Sequence, residues 1–173
     1  MSKNIPALKA YGIKLIERFK LDELRIQFEY DFELTEENII SFLKSKKIFD
    51  SDTNQIEIAT KKFVTNDNLK FHIDDCQLVK LKIPPTYNVD QYIHLEDNKY
   101  LYFNNKFKVL PKFTAIFYSS THGIDFDGGI LTFADEKQII PKAKSGIIFD
   151  SREAHMVMSI KSGTRTSTIV KIY

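Results

Sequence analysis

The sequence is short of cysteine, of net charge and of long apolar runs, and each shortage removes a class of protein. A single cysteine, Cys76, allows no intramolecular disulfide, which suits a reducing compartment and a cytoplasmic location. No apolar run approaches the roughly 20 residues that a membrane-spanning helix needs. The opening Met1-Ser-Lys-Asn-Ile-Pro6 lacks the apolar region of a secretory signal. Lysine and arginine number 25 against 23 acidic residues, and a net charge of +2 argues against a nucleic-acid partner. There is no internal repeat and no low-complexity tract. What is there is a 173-residue chain, 43% hydrophobic and 28% charged, enough for one globular domain with a substantial core. None of these quantities fixes an oligomeric state.

Periodicity divides the chain at about residue 75. Leu8, Tyr11, Leu15 and Phe19 recur near a 3.6 period and predict a helix over Ala7–Phe19. Leu24 to Phe32 alternates as a strand does. Thr35 stands where an N-cap should, with Glu36 and Glu37 in the first turn, and predicts a second helix to about Lys47. Short strands are expected at Gln55–Ala59 and Lys62–Thr65. Residues 1–74 thus read as support that carries no chemistry. From Asp75 onward short strands and turns alternate: Gln77–Ile83 ending at Pro84-Pro85, a hairpin over Lys99–Val109 with Asn104-Asn105 at its turn, Phe113–Tyr118, Ile130–Phe133 after Gly128-Gly129, Gln138–Ile140 and Gly146–Phe149. Such spacing predicts a sandwich or barrel over 75–173.

The stretch Ser145 to Arg165 concentrates the chemistry. His155 starts an alternating run and Arg165 starts the last strand. With Lys161–Gly163 as a hairpin loop, the two would lie on neighbouring antiparallel strands and face the same way. Neutral imidazole ligates metals, and guanidinium forks a carboxylate. A His-x-Asp/Glu pair on another strand would complete a facial triad, since residues i and i+2 project to one side. Two stretches offer that spacing, His94-Leu-Glu96 and His72-Ile-Asp74; His122-Gly-Ile-Asp125 is spaced wrongly. Taken singly, each of these residues is more ordinarily a structural or surface group than a ligand.

Phe149-Asp-Ser-Arg152 before His155, then Ser162-Gly-Thr-Arg165 ending ten residues beyond that histidine, resembles the C-terminal half of Fe(II)/2-oxoglutarate-dependent oxygenases, in particular the prolyl 4-hydroxylase-like branch. Gly128-Gly-Ile-Leu-Thr-Phe133 and Pro141-Lys142 follow the same family order. The resemblance covers about Asp75 to Tyr173. It implies a mainly β fold, a double-stranded β-helix of jelly-roll or cupin-like shape, behind N-terminal helices. It implies Fe(II) held by His94, Glu96 and His155, the pair chosen because it precedes the hairpin and Phe113–Tyr118 as in the family. Glu96 departs from the branch, which usually has aspartate there; His72-Ile-Asp74 has the usual residues but precedes the strand that should come first. Arg165 would take the far carboxylate of 2-oxoglutarate, with Thr114 and Ser167 or Thr168 as hydroxyl donors. O2 would be the second co-substrate and ascorbate an optional reductant. The expected activity is hydroxylation of a substrate C–H, first of all a prolyl residue in a protein or peptide, with a free amino acid or other small molecule open. A non-catalytic cupin-like binding module with a degenerate triad is the competing class. Nucleic-acid demethylation is disfavoured, because no second arginine follows Arg165 at the spacing those relatives have.

Overall fold

The computed structural model describes residues 25–103, 107 and 110–173. The helix expected over Ala7–Phe19 and the turn at Asn104-Asn105 lie outside these residues. In chain order the strands are β1 (Arg25–Glu29), β2 (Ile56–Phe63), β3 (Leu69–His72), β4 (Cys76–Lys80), β5 (Tyr92–Glu96), β6 (Lys99–Phe103), β7 (Phe113–Tyr118), β8 (Phe126–Gly128), β9 (Leu131–Phe133), β10 (Gln138–Ile139), β11 (Ser145–Asp150), β12 (His155–Val157), β13 (Ile160–Gly163) and β14 (Arg165–Ile172). The described residues hold one α-helix, α1 (Glu36–Ser45). No helix among them is long and apolar enough to cross a membrane.

The strands form antiparallel sheets. The largest has the order β1-β11-β7-β14-β2, the second β10-β9-β12-β3; β4-β6-β5 and β13-β8 are separate. Alternation decides what each face of the large sheet meets. On one face Phe28, Ala115, Phe117, Ile148, Val170 and Ile172 pack with Ile39 and Leu43 of α1. Thr35 caps that helix by accepting a hydrogen bond from the Asn38 N–H at 3.2 Å, as the sequence predicted. On the opposite face Ile116, Tyr118, Ile147 and Phe149 pack against Leu131, Phe133 and Val157 of the second sheet. The two sheets therefore enclose a core between them, and one face of each is apolar because it is shared. Gly146 lets this sheet form: a Cβ there would come within 2.2 Å of the Ile116 carbonyl oxygen and 2.4 Å of the Phe28 ring.

Several expectations change. The two short strands at 55–65 are one continuous strand, β2, because it pairs along its whole length with β14. β5 and β6 form a hairpin turning at Asp97-Asn98, with Asp97 at φ 46°. Of the strands before residue 75, β1 and β2 belong to the large sheet and β3 to the second. Lys161–Gly163 is part of β13, paired with β8, so His155 and Arg165 do not lie on neighbouring strands. They stand on opposite sheets, β12 and β14, and face one another across the interior.

Candidate metal centre

β3 pairs antiparallel with β12 so that His72 lies directly opposite His155. This register brings the two imidazoles to a centroid distance of 4.3 Å. Two residues on from His72, Asp74 points the same way, as i and i+2 do in extended chain. One ligand atom from each of His72, Asp74 and His155 fits within 4.8 Å of the others. The intervening Ile73 turns into an apolar cluster with Leu101, Ala134 and Ala154 and anchors the pair.

Hydrogen bonds set the chemistry of these groups. His155 Nδ1 lies 2.9 Å from the Glu153 carbonyl oxygen, and His72 Nδ1 lies 2.7 Å from that of Lys70. A carbonyl only accepts, so both Nδ1 atoms carry hydrogen and donate. That leaves both Nε2 atoms facing Asp74 Oδ1, each at 3.3 Å. Two imidazole nitrogens and a carboxylate oxygen converging on one point need a cation there, either a proton or a metal. The electrostatics agree. Burial alone would raise the Asp74 carboxyl, but the two histidines hold it well below the usual carboxylate range. Burial alone would lower His155, but Asp74 outweighs it and pushes the imidazole up. Asp74 Oδ2 accepts a hydrogen bond from Thr114 Oγ1 at 2.6 Å, and Thr114 in turn meets Ser151 Oγ at 2.8 Å. His155 is buried against the edge of Phe149, whereas the His72 side chain is 30% exposed. Two histidines and one aspartate, oriented by carbonyls and a hydroxyl, fit an iron-type facial site.

The cluster opens into a cavity of about 270 Å³ between the two sheets, lined by Phe63, Ile116, Leu131, Val157 and Ile169 and by Arg165 and Lys171. Arg165 is 2% exposed, and among the described residues no carboxylate lies within ion-pair distance of it. Its guanidinium stacks between Phe63 and Tyr118 at 5.3 and 5.2 Å from the ring centres and donates to Ser167 Oγ at 3.4 Å. Among the described residues neither its Nε nor the Tyr118 hydroxyl, both buried, has a hydrogen-bond partner of good geometry. Burial draws the guanidinium pKa down, with Tyr118 acting the other way. A buried cation with spare donors and no counter-ion among the described residues is built to receive an anion. Gly129, at φ 62°, makes room for it, since a Cβ there would sit 2.9 Å from Arg165 Cδ. At the other end of the cavity Asp75 accepts hydrogen bonds from Lys171 Nζ and the Tyr173 hydroxyl. A more open groove of about 840 Å³, lined by Phe103, Phe107 and Arg152, includes none of His72, Asp74 and His155.

The other candidates from the sequence fall elsewhere. His94 and Glu96 sit on β5 in the separate three-stranded sheet and share no cluster with His155. His94 is exposed, its Nε2 is 2.8 Å from the Asp97 carbonyl oxygen of its own turn, and Glu96 faces Lys99 at 3.7 Å. Thr114 serves Asp74, and Ser167 serves Arg165. Thr168 is on the helix-facing side and meets Thr60 at 3.5 Å. His122, in the loop before β8, lies 3.3 Å from Asp127 of that strand. In the sequence, the pair that clusters with His155 was marked only by its usual residues, His and Asp; chain order pointed away from it. Order misled because β4, β5 and β6 form an excursion, and the next strand of the two facing sheets after β3 is β7.

Comparison with solved structures gives the fold a precedent. The viral collagen prolyl hydroxylase from Paramecium Bursaria Chlorella virus-1 aligns with a TM-score of 0.51 at 16% identity, over 96% of this chain and 83% of that one. A Pseudomonas putida prolyl-4-hydroxylase aligns at 0.50 and 14% identity, over 96% and 79%. HygX from Streptomyces hygroscopicus, solved with nickel and 2-oxoglutarate, aligns at 0.49 and 11%, over 94% and 85%. No family model matches the chain, and no curated protein matches it. At these identities the likeness is one of fold: the chain resembles the solved prolyl hydroxylases in architecture.

Proposed function

We propose that the chain is an Fe(II)- and 2-oxoglutarate-dependent oxygenase that hydroxylates a substrate C–H, with a prolyl residue in a protein or peptide as the first substrate class. The observation that carries this reading is the sharing of one cavity by the His72, Asp74 and His155 cluster and the buried Arg165. The two facing sheets are then the halves of a double-stranded β-helix. When bound, iron, 2-oxoglutarate and O2 supply the oxidant, 2-oxoglutarate becoming succinate and CO2 as the substrate C–H becomes C–OH.

The protein's own part is to bind, orient and exclude water. His72 and His155 offer Nε2 because carbonyls hold Nδ1–H, and Asp74 offers Oδ1 because Thr114 occupies Oδ2. Arg165 takes the far carboxylate of 2-oxoglutarate, a charge-assisted contact in surroundings dry enough to strengthen it. Phe63, Ile116, Leu131 and Ile169 keep water from the space between. The non-catalytic module loses its motive, because Asp74 supplies the aspartate that Glu96 lacked. The prolyl assignment is supported by the shared fold with two prolyl hydroxylases, a support for fold more than for substrate.

The test is anaerobic titration with Fe(II) and 2-oxoglutarate, watching for the weak visible band of the chelated complex. Wild type should develop the band, His155→Ala should not, and no band in folded wild type overturns the reading. Succinate production with ascorbate present, driven by proline peptides but not by free amino acids, would support the prolyl assignment; the reverse preference would replace it with a small-molecule substrate.

A further inference from the structure

We infer that Arg25 is a positioning residue for the metal centre, acting on His155 through Glu153; the inference rests on the metal reading of His72, Asp74 and His155. Arg25 opens β1 at the edge of the large sheet, with Phe149 as its cross-strand partner. Its guanidinium holds the Glu153 carboxylate at both oxygens, Nη2 to Oε1 at 2.6 Å and Nε to Oε2 at 3.2 Å. The remaining arm, Nη1, reaches Asp135 at 2.8 Å. Glu153 is 1% exposed, so its carboxylate depends on this partner. The guanidinium also lies 4.0 Å above the Phe133 ring, and Phe133 meets Phe149 edge-on at 5.2 Å.

The same Glu153 provides the carbonyl that accepts from His155 Nδ1. Its N–H donates to the Asp150 carbonyl oxygen at 3.0 Å, and the next carbonyl, Ala154, accepts from Ala134 N–H at 3.0 Å. The turn before β12 is therefore held at its backbone by local bonds and at its side chain by an arginine 128 residues away in sequence. Without Arg25 the Glu153 carboxylate would be buried and unpaired, and its escape to water would swing the carbonyl that orients His155. His72 has no such clamp: its Nδ1 partner is on its own strand. Arg25 thus controls one arm of the site, and Asp135 touches the clamp without touching the ligand.

The test is a Co(II) titration of the full chain freed of metal, read by visible absorption, on wild type, Arg25→Ala, Arg25→Lys, Glu153→Gln, Asp135→Asn and His155→Ala, with circular dichroism as the check on folding. Arg25→Ala and Glu153→Gln should weaken Co(II) binding by roughly 10–100-fold and move the spectrum toward that of His155→Ala. Arg25→Lys should recover part of the affinity, and Asp135→Asn should bind as wild type does. Should Arg25→Ala not fold, the near-isosteric Glu153→Gln carries the test. Wild-type affinity and spectrum in Glu153→Gln, or an equal loss in Asp135→Asn, would overturn the clamp alone. A wild type that takes up no Co(II) would overturn the metal centre, and the clamp's assignment with it.

Discussion

The chain contains two His-x-carboxylate pairs on or beside strands, and the fold treats them oppositely. His72-Ile-Asp74 runs out of a strand whose partner carries His155, and its carboxylate is buried with a hydroxyl on one oxygen and two imidazoles on the other. His94-Leu-Glu96 runs along β5 into a tight turn, with its histidine satisfied by the turn and its glutamate beside Lys99 in solvent. The motif is the same; the surroundings decide. Spacing puts two donors on one side of a strand, but a metal site also needs a third donor across the sheet and enough burial to make an unneutralised cluster costly.

This contrast is open to direct attack. The largest expected effect is from Asp74→Ala, which should abolish the Fe(II)–2-oxoglutarate band, whereas Glu96→Ala should leave it intact. If Glu96→Ala loses the band and Asp74→Ala keeps it, the pairs have been assigned the wrong way round. Next comes Arg165→Ala. Removing a charged hydrogen-bonding partner costs about 1.5–3 kcal/mol, so the concentration of 2-oxoglutarate needed for half-saturation should rise roughly 10–150-fold while Fe(II) affinity alone changes little. An unchanged 2-oxoglutarate requirement would sever Arg165 from the site. Thr114→Val should have a smaller effect, weakening Fe(II) binding roughly ten-fold by freeing Asp74 Oδ2; the fold should stay intact, because the site lies on the wall of a well-packed core. The smallest effect is expected at His94→Ala. An exposed histidine bonded to its own turn should change stability by less than about 0.5 kcal/mol and metal binding not at all, as thermal melts and the same titration would check.

Much of this was legible in the sequence. The strands at Phe113–Tyr118 and Gly146–Phe149, the N-cap Thr35 and the β-rich second half all appear as expected, because apolar β-type runs and capping are properties of neighbouring residues. His155 and Arg165 were legible as candidates for the same local reason, and the structure does bring both to one cavity. Their relationship was not. A turn signal at Lys161–Gly163 implied a hairpin, yet β13 leaves to pair with β8, so the two residues meet across the sandwich and not along one sheet. The partner of His155 was less legible still. Two histidine motifs shared the same spacing; the aspartate favoured His72-Ile-Asp74, but the order of strands pointed to His94-Leu-Glu96, and that order was upset by the excursion of β4 to β6. Arg25 and Glu153 gave no signal at all.

By itself the sequence determined which segments extend, which turn, where the one described helix begins, and which side chains alternate toward a shared interior. Those follow from backbone sterics and periodicity over a few residues. Only the tertiary structure decided that His72 stands opposite His155, that Arg165 is buried with no counter-ion among the described residues, and that Arg25 reaches Glu153. Register, burial and ion pairing are set by which distant strands find one another, and the free energy that selects them is spread over the two cores flanking the large sheet.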